Sequence, residues 1–232
     1  MKIKIFADGA NLETIRELRK NPLVLGYTSN PTLMRRAGVT NYKAFAKNAL
    51  LAINGLPISF EVFADKFNEM EKQARKIASW GKNVYVKIPI MNTHGDSCFH
   101  LIRNLSQSGI KVNVTAVMTS YQVERACEAL YQGAPAYISV FAGRIADTGR
   151  DPIPHMQVAL QTMEMCPNAE LIWASPRELL NIFQADEIGC HVITVSNDIL
   201  KKLSEVGKNL YDFSLETVKM FYNDAQASGF TL

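Results

Sequence analysis

The chain has 232 residues, 47% of them hydrophobic, with 25 Lys and Arg against 22 Asp and Glu for a formal charge of +3. That length can bury one sizeable core, and a nearly balanced charge without a dense Lys/Arg tract argues against a nucleic-acid or anionic-membrane partner, while leaving small anionic substrates open. Cys98, Cys127, Cys166 and Cys190 are scattered, with no C-x-x-C pair and no secretory segment, which predicts reduced thiols in a cytoplasmic protein; no apolar run approaches the roughly 20 residues of a membrane span.

Taken in order, the chain alternates apolar runs with stretches of helical periodicity. IKIFA at 3–7 leads to Asp8 and then to NLETIRELRKN. LVLGYT at 23–28 runs into a turn of Thr28, Ser29, Asn30, Pro31 and Thr32. PISFEVF at 57–63 carries Glu61 late in the run and precedes DKFNEMEKQARKIASWGKN. VYVKIPI at 84–90 sets Lys87 between Val86 and Ile88, where a bare ammonium is costly to bury. After SCFHLIRNLSQSG comes KVNVTAV at 111–117 with Thr115, then SYQVERACEALYQG and YISVFA at 137–142, with Phe141 near its end and Arg144 just past it. LIWAS at 171–175 ends on Ser175, with Arg177 expected to open the next helix, where Leu179, Ile182 and Phe183 recur at helical spacing and Gly189 supplies the stop. VITVS at 192–196 is the eighth run, and residues from about 211 read as a C-terminal helical extension.

Eight strand-helix units imply parallel pairing through right-handed crossovers, and they close naturally into a (β/α)8 TIM barrel forming one domain over residues 1–232. An open doubly wound sheet is the alternative. In a barrel, chemistry is confined to the C-terminal ends of the strands. Asp8, the Ser29-Asn30 turn, Glu61, Lys87, Thr115, Arg144 and Ser175 then gather at one end, a polar group from each strand from the first to the seventh. Each has a plainer reading: Asp8 as a helix cap, TSNP as a turn, Glu61 and Thr115 as structurally paired groups, the arginines as surface residues, and Lys87 as half of a salt bridge. Lys87 resists dismissal most, because a lysine in the middle of a strand either snorkels from its end or points into a polar cavity. Desolvation there leaves some free amine, the nucleophile of Schiff-base chemistry. Phosphate-loop, dinucleotide, serine-triad and HExxH motifs are absent from the sequence, and the four histidines have no metal-ligand spacing.

These residues, in this order, resemble the short transaldolases and the closely related fructose-6-phosphate aldolases. IFADGANLETI is similar to that family's first-strand signature, LGYTSNPTLM to its second-strand TTNPS element, and VYVKIPI to the strand carrying its Schiff-base lysine. VTAV, FAGRIAD and WASPR resemble its threonine strand, phosphate-binding element and phosphate loop, with departures at Ala7, Gly9 and Pro176. The resemblance implies Lys87, Asp8, Glu61 and Thr115 as catalytic residues. It implies Ser29, Asn30, Phe141, Arg144, Ser175 and Arg177 as substrate contacts, sugar phosphates as ligands, no metal or cofactor, and a ring-like homo-oligomer such as a decamer. Glu61 in place of glutamine and Phe141 in place of tyrosine favour transaldolase over aldolase. A lyase releasing free dihydroxyacetone and a silent barrel serving as a scaffold are the other readings.

Overall fold

The computed structural model describes residues 1–231. Its elements run β1 (Lys4–Asp8), α1 (Leu12–Leu18), β2 (Val24–Thr28), α2 (Pro31–Arg36), α3 (Tyr42–Ile53) and β3 (Ile58–Glu61). There follow α4 (Phe67–Ala78), β4 (Val84–Pro89), α5 (Phe99–Gln107), β5 (Val112–Val117), α6 (Ser120–Leu130) and β6 (Ala136–Val140). The last third comprises α7 (Ala142–Ala146), α8 (Pro152–Thr162), β7 (Ala169–Trp173), α9 (Leu180–Glu187), β8 (Val192–Ser196), α10 (Asn197–Lys201) and α11 (Leu210–Ser228). The strands pair in sequence order, all parallel, and β8 returns to β1, so the sheet closes as the (β/α)8 barrel expected.

Local chemistry explains where the helices start and which face they bury. Asn11, Asn30, Asn41, Asp151, Ser196 and Asn209 each cap a helix through a side-chain oxygen, satisfying backbone donors that have no partner within the first turn. Thr119 and Gln122 close a reciprocal capping box on α6. Along α4, Met70, Ala74 and Ile77 fall on one face at helical spacing and are buried, while charged residues take the other.

Inside the barrel, alternate strand residues point inward and stack in layers. The N-terminal end is plugged by Phe6, Tyr137, Ile172 and Val192 with Tyr85 against them, Phe6 meeting Tyr137 edge-on at 5.6 Å. A side chain at position 26 would put its Cβ 2.5 Å from the Phe6 ring, so only glycine fits on β2 there. The next layer is polar and internally bonded: Asn113 donates to Ser59 at 3.0 Å and accepts from Ser139 at 2.7 Å. Asp8, Thr28, Glu61, Lys87, Thr115 and Thr194 follow in the period-2 positions above it.

Some boundaries differ from those read in the sequence. The third strand ends at Glu61 rather than residue 63, and the sixth ends at Val140 because Phe141 caps α7. The seventh spans Ala169–Trp173 rather than 171–175, its polar start hidden by Glu170, which pairs with Lys4 at 2.6 Å. Two connections hold helix pairs, α2 with α3 and α7 with α8, that no periodic segment had marked. The extension begins at Leu210 as α11, none of whose residues is buried; Leu232, at the end of the expected extension, lies outside the described residues.

Candidate active site

The polar ends of the strands converge on one open cavity of about 570 Å³, lined by Asp8, Asn30, Glu61, Lys87, Thr115, Phe141, Arg144, Ser175 and Arg177. Of the residues singled out in the sequence, Ser29 alone stays behind the wall. Its side chain is fully buried, with no hydrogen-bond partner for Oγ among the described residues, and its carbonyl accepts from Lys87 Nζ at 3.2 Å.

Lys87 is 6% exposed and enters the cavity from β4, while Val86 and Ile88 on either side pack outward into the core. The register that sets Glu61 of β3 beside Lys87 brings the carboxylate Oε2 to 3.4 Å from Nζ. A salt bridge therefore exists, but it is looser than the roughly 2.7–2.9 Å of a tight charge-assisted bond. It steadies the amine, which still opens onto the cavity.

Asp8 ends β1. It caps nothing, since Asn11 serves α1, and instead Oδ1 accepts from Thr28 Oγ1 at 2.7 Å. Burial pushes its carboxyl above the ordinary range, opposed by the positive charge of Lys87 and by the Thr28 bond. Asn30 is both cap and wall: its Oδ1 accepts from Leu33 N at 3.0 Å, and Pro31 begins α2. Thr115 is 1% exposed and its Oγ1 has no protein partner among the described residues. Beside it Ala116 holds φ at +60°, and the pairing of β5 with β6 slips between Val114 and Val117. A bulge of this kind re-aims a strand end, here the one that bears Thr115.

Three arginines rim the cavity. Arg144 lies in α7 with its guanidinium 5.4 Å from the centre of the Phe141 ring, within cation–π range. Arg177 engages Asp147 through Nε at 2.9 Å and again through Nη2, so its fork is already partly occupied. Arg36, at the end of α2, also lines the cavity; in sequence TSNP reads as a turn, which hides the helix that carries it. Ser175 does not end the seventh strand but sits beyond it with φ at +58°, and Arg177 precedes α9 rather than opening it. This loop presses so close to α7 that a Cβ on Gly143 would lie 1.5 Å from the Ser175 carbonyl oxygen. Glycine is what lets the two meet.

Chemically, the site offers an amine held nearly dry, a half-buried carboxylate, a second carboxylate, the Thr115 hydroxyl without a partner among the described residues, and a cationic rim. Residues 5–232 match the family model described as transaldolase/fructose-6-phosphate aldolase. A protein named probable transaldolase from Streptococcus equi subsp. zooepidemicus is 36% identical over 88% of this chain and 91% of its own length. One of the same name from Methanococcus maripaludis is 34% identical over 87% and 89%. Among solved structures, a mandelate oxidase mutant with an FMN adduct superposes with a TM-score of 0.58 at 14% identity, covering 88% of this chain and 68% of that one, a likeness of fold alone. With a family match over nearly its whole length and relatives of this closeness, the chain belongs to the transaldolase/fructose-6-phosphate aldolase family.

Proposed function

We propose that the chain is a Schiff-base transaldolase that moves a dihydroxyacetone unit from a ketose phosphate, fructose 6-phosphate or sedoheptulose 7-phosphate, to an aldose-phosphate acceptor. The observation that carries this reading is the Lys87 amine, opening onto the same cavity as Asp8, Glu61 and Thr115. The amine adds to the ketose C2 carbonyl and loses water, and the resulting iminium draws electrons from the C3–C4 bond. Asp8 takes the C4 hydroxyl proton; the aldehyde leaves and a three-carbon enamine stays on Lys87. Glu61 and the Thr115 hydroxyl, which has no partner among the described residues, hold the water lost and regained in imine chemistry. Asn30 flanks the dihydroxyacetone unit, with Ser29 behind it holding the Lys87 amine through its carbonyl, while Arg144, Ser175 and Arg177 take the phosphate.

The lyase reading differs only in the fate of the enamine. Phe141 favours transfer: it lines the cavity without a hydroxyl, so the enamine lacks one donor that would protonate it before an acceptor arrives. The same reading places the enzyme in the cytoplasm and in pentose phosphate metabolism, as a ring-like homo-oligomer. Supporting assembly, α11 leaves Leu210, Tyr211, Phe213, Leu215, Val218, Phe221 and Tyr222 exposed. The test is a coupled assay of fructose 6-phosphate with and without erythrose 4-phosphate. Transfer product should exceed free dihydroxyacetone when the acceptor is present; release as fast as transfer would make the enzyme an aldolase.

A further inference from the structure

The strand to which the sequence assigned no polar group at the site, β8, contributes one. Thr194 is 6% exposed and Thr28 is 2% exposed, and their hydroxyl oxygens lie 2.5 Å apart inside the barrel. Thr28 Oγ1 also lies 2.7 Å from Asp8 Oδ1. A hydroxyl has one proton to give. If Thr28 gives its proton to the carboxylate, the contact with Thr194 is a hydrogen bond only when Thr194 is the donor. The three side chains thus form a directed chain, Thr194 to Thr28 to Asp8, built from neighbouring strands β8, β1 and β2. Among the described residues no hydrogen bond reaches Asp8 Oδ2.

We infer that Thr194 is a positioning residue of the site: its hydroxyl fixes the rotor of Thr28 so that the Thr28 proton points at Oδ1 of Asp8, holding that carboxylate ionised and leaving Oδ2 to meet the substrate. The inference rests on the reading of Asp8 as the base that takes the C4 proton. The arrangement suits that task because hydrogen bonds in a buried chain polarise one another, and each donated proton favours the anion over the acid. It also offsets the burial that raises the carboxyl. Of the charges around Asp8, the Lys87 ammonium favours its anion most, and the Thr28 bond adds to that. Lys87 faces it from β4, and Glu61, Arg36, Arg144 and Arg177 share its cavity. The flanking strands β2 and β8 bring no charged side chain, and Tyr27, on the other face of β2, has its hydroxyl on the Ile15 carbonyl. Proton transfer to Oδ2 keeps the chain intact, because Oδ1 of the acid still accepts from Thr28.

The test is the pH dependence of kcat/KM for fructose 6-phosphate in the full chain, comparing wild type with Thr194→Val, Thr194→Ser and Asp8→Asn. A general base works only when ionised, so activity falls as pH drops through its titration. Removing a group that favours the ionised form moves that acid limb to higher pH. Thr194→Val, nearly isosteric but without the hydroxyl, should raise the midpoint by roughly 0.5–1 pH unit, the displacement expected for one neutral hydrogen bond. Thr194→Ser should restore it. A midpoint in Thr194→Val equal to wild type overturns the inference, as does an equal displacement in Thr194→Ser. Should Thr194→Val not fold, Thr194→Ala removes the same proton with less demand on packing. Infrared titration of the Asp8 carboxylate reads the midpoint without turnover. Asp8→Asn separates the two claims: undiminished cleavage there defeats the reading of Asp8 as base, whereas lost cleavage with an unmoved Thr194→Val limb defeats the hydroxyl chain alone.

Discussion

The two ends of the barrel are made of the same eight strands and solve opposite problems. At the N-terminal end Phe6, Tyr137, Ile172, Val192 and Tyr85 fill the interior ring against ring, with Tyr85 and Tyr137 centroids 4.3 Å apart. Burial holds both phenols above the ordinary tyrosine range, so neither titrates near neutrality. At the C-terminal end the same period-2 positions carry Asp8, Glu61, Lys87 and Thr115 around a cavity. The backbone there adopts left-handed φ at Ala116 and Ser175, a conformation non-glycine residues occupy at a cost of order 1–3 kcal/mol. One end is packed and largely apolar; the other is hollow and polar, with left-handed residues in the strand and loop that line the cavity. Stability is concentrated where chemistry is not.

The largest effects should come from exchanging those roles. Lys87→Met should abolish turnover while melting stays cooperative, because the lost group is the proposed nucleophile. Phe6→Ala should do the reverse, costing about 3–5 kcal/mol in denaturant unfolding through the cavity it opens, while the folded fraction still reacts at Lys87. Comparable stability loss in both variants would erase the distinction between the two ends. Next in size is Gly143→Ala. Its Cβ would stand 1.5 Å from the Ser175 carbonyl oxygen, so the loop carrying Ser175 and Arg177 must move. Steady-state kinetics should show kcat/KM down at least about tenfold, ~1.4 kcal/mol, with the rise mostly in KM if phosphate binding is what suffers.

The smallest effect concerns pH. Asp8 titrates above the ordinary range in the folded chain because burial disfavours its anion, so the folded state holds that proton more tightly than the unfolded state does. Ionised Asp8 therefore subtracts stability once pH exceeds the unfolded value of about 3.9, and fully above the folded one. Asp8→Asn should be more stable than wild type at pH 7, with the gain shrinking as pH falls toward 4, while cleavage is lost. Denaturant midpoints at the two pH values check this trade of stability for function.

Much of this contrast could be read in the sequence, and the gaps have physical causes. β-branched runs announced all eight strands, and the lysine inside VYVKIPI stood out because burial makes it expensive. Asn30-Pro31 was a legible helix start, a side-chain cap followed by proline, yet read as a turn it hid α2 and with it Arg36. In VITVS the alternation of Val192, Thr194 and Ser196 already set Thr194 on the inward face; an isolated threonine in a strand is too ordinary to draw notice without its neighbours. The bulge at Ala116 and the close approach over Gly143 depend on residues far apart in sequence meeting in space. Local pattern carries no trace of that, apart from the glycine itself.

The proposed chemistry turns on one bond between Lys87 and the substrate. Incubation with fructose 6-phosphate and sodium borohydride, followed by peptide mass spectrometry, should find a reduced three-carbon adduct on Lys87 and on no other lysine. An active enzyme in which Lys87 stays unmodified, or in which the adduct maps to another lysine, would contradict it.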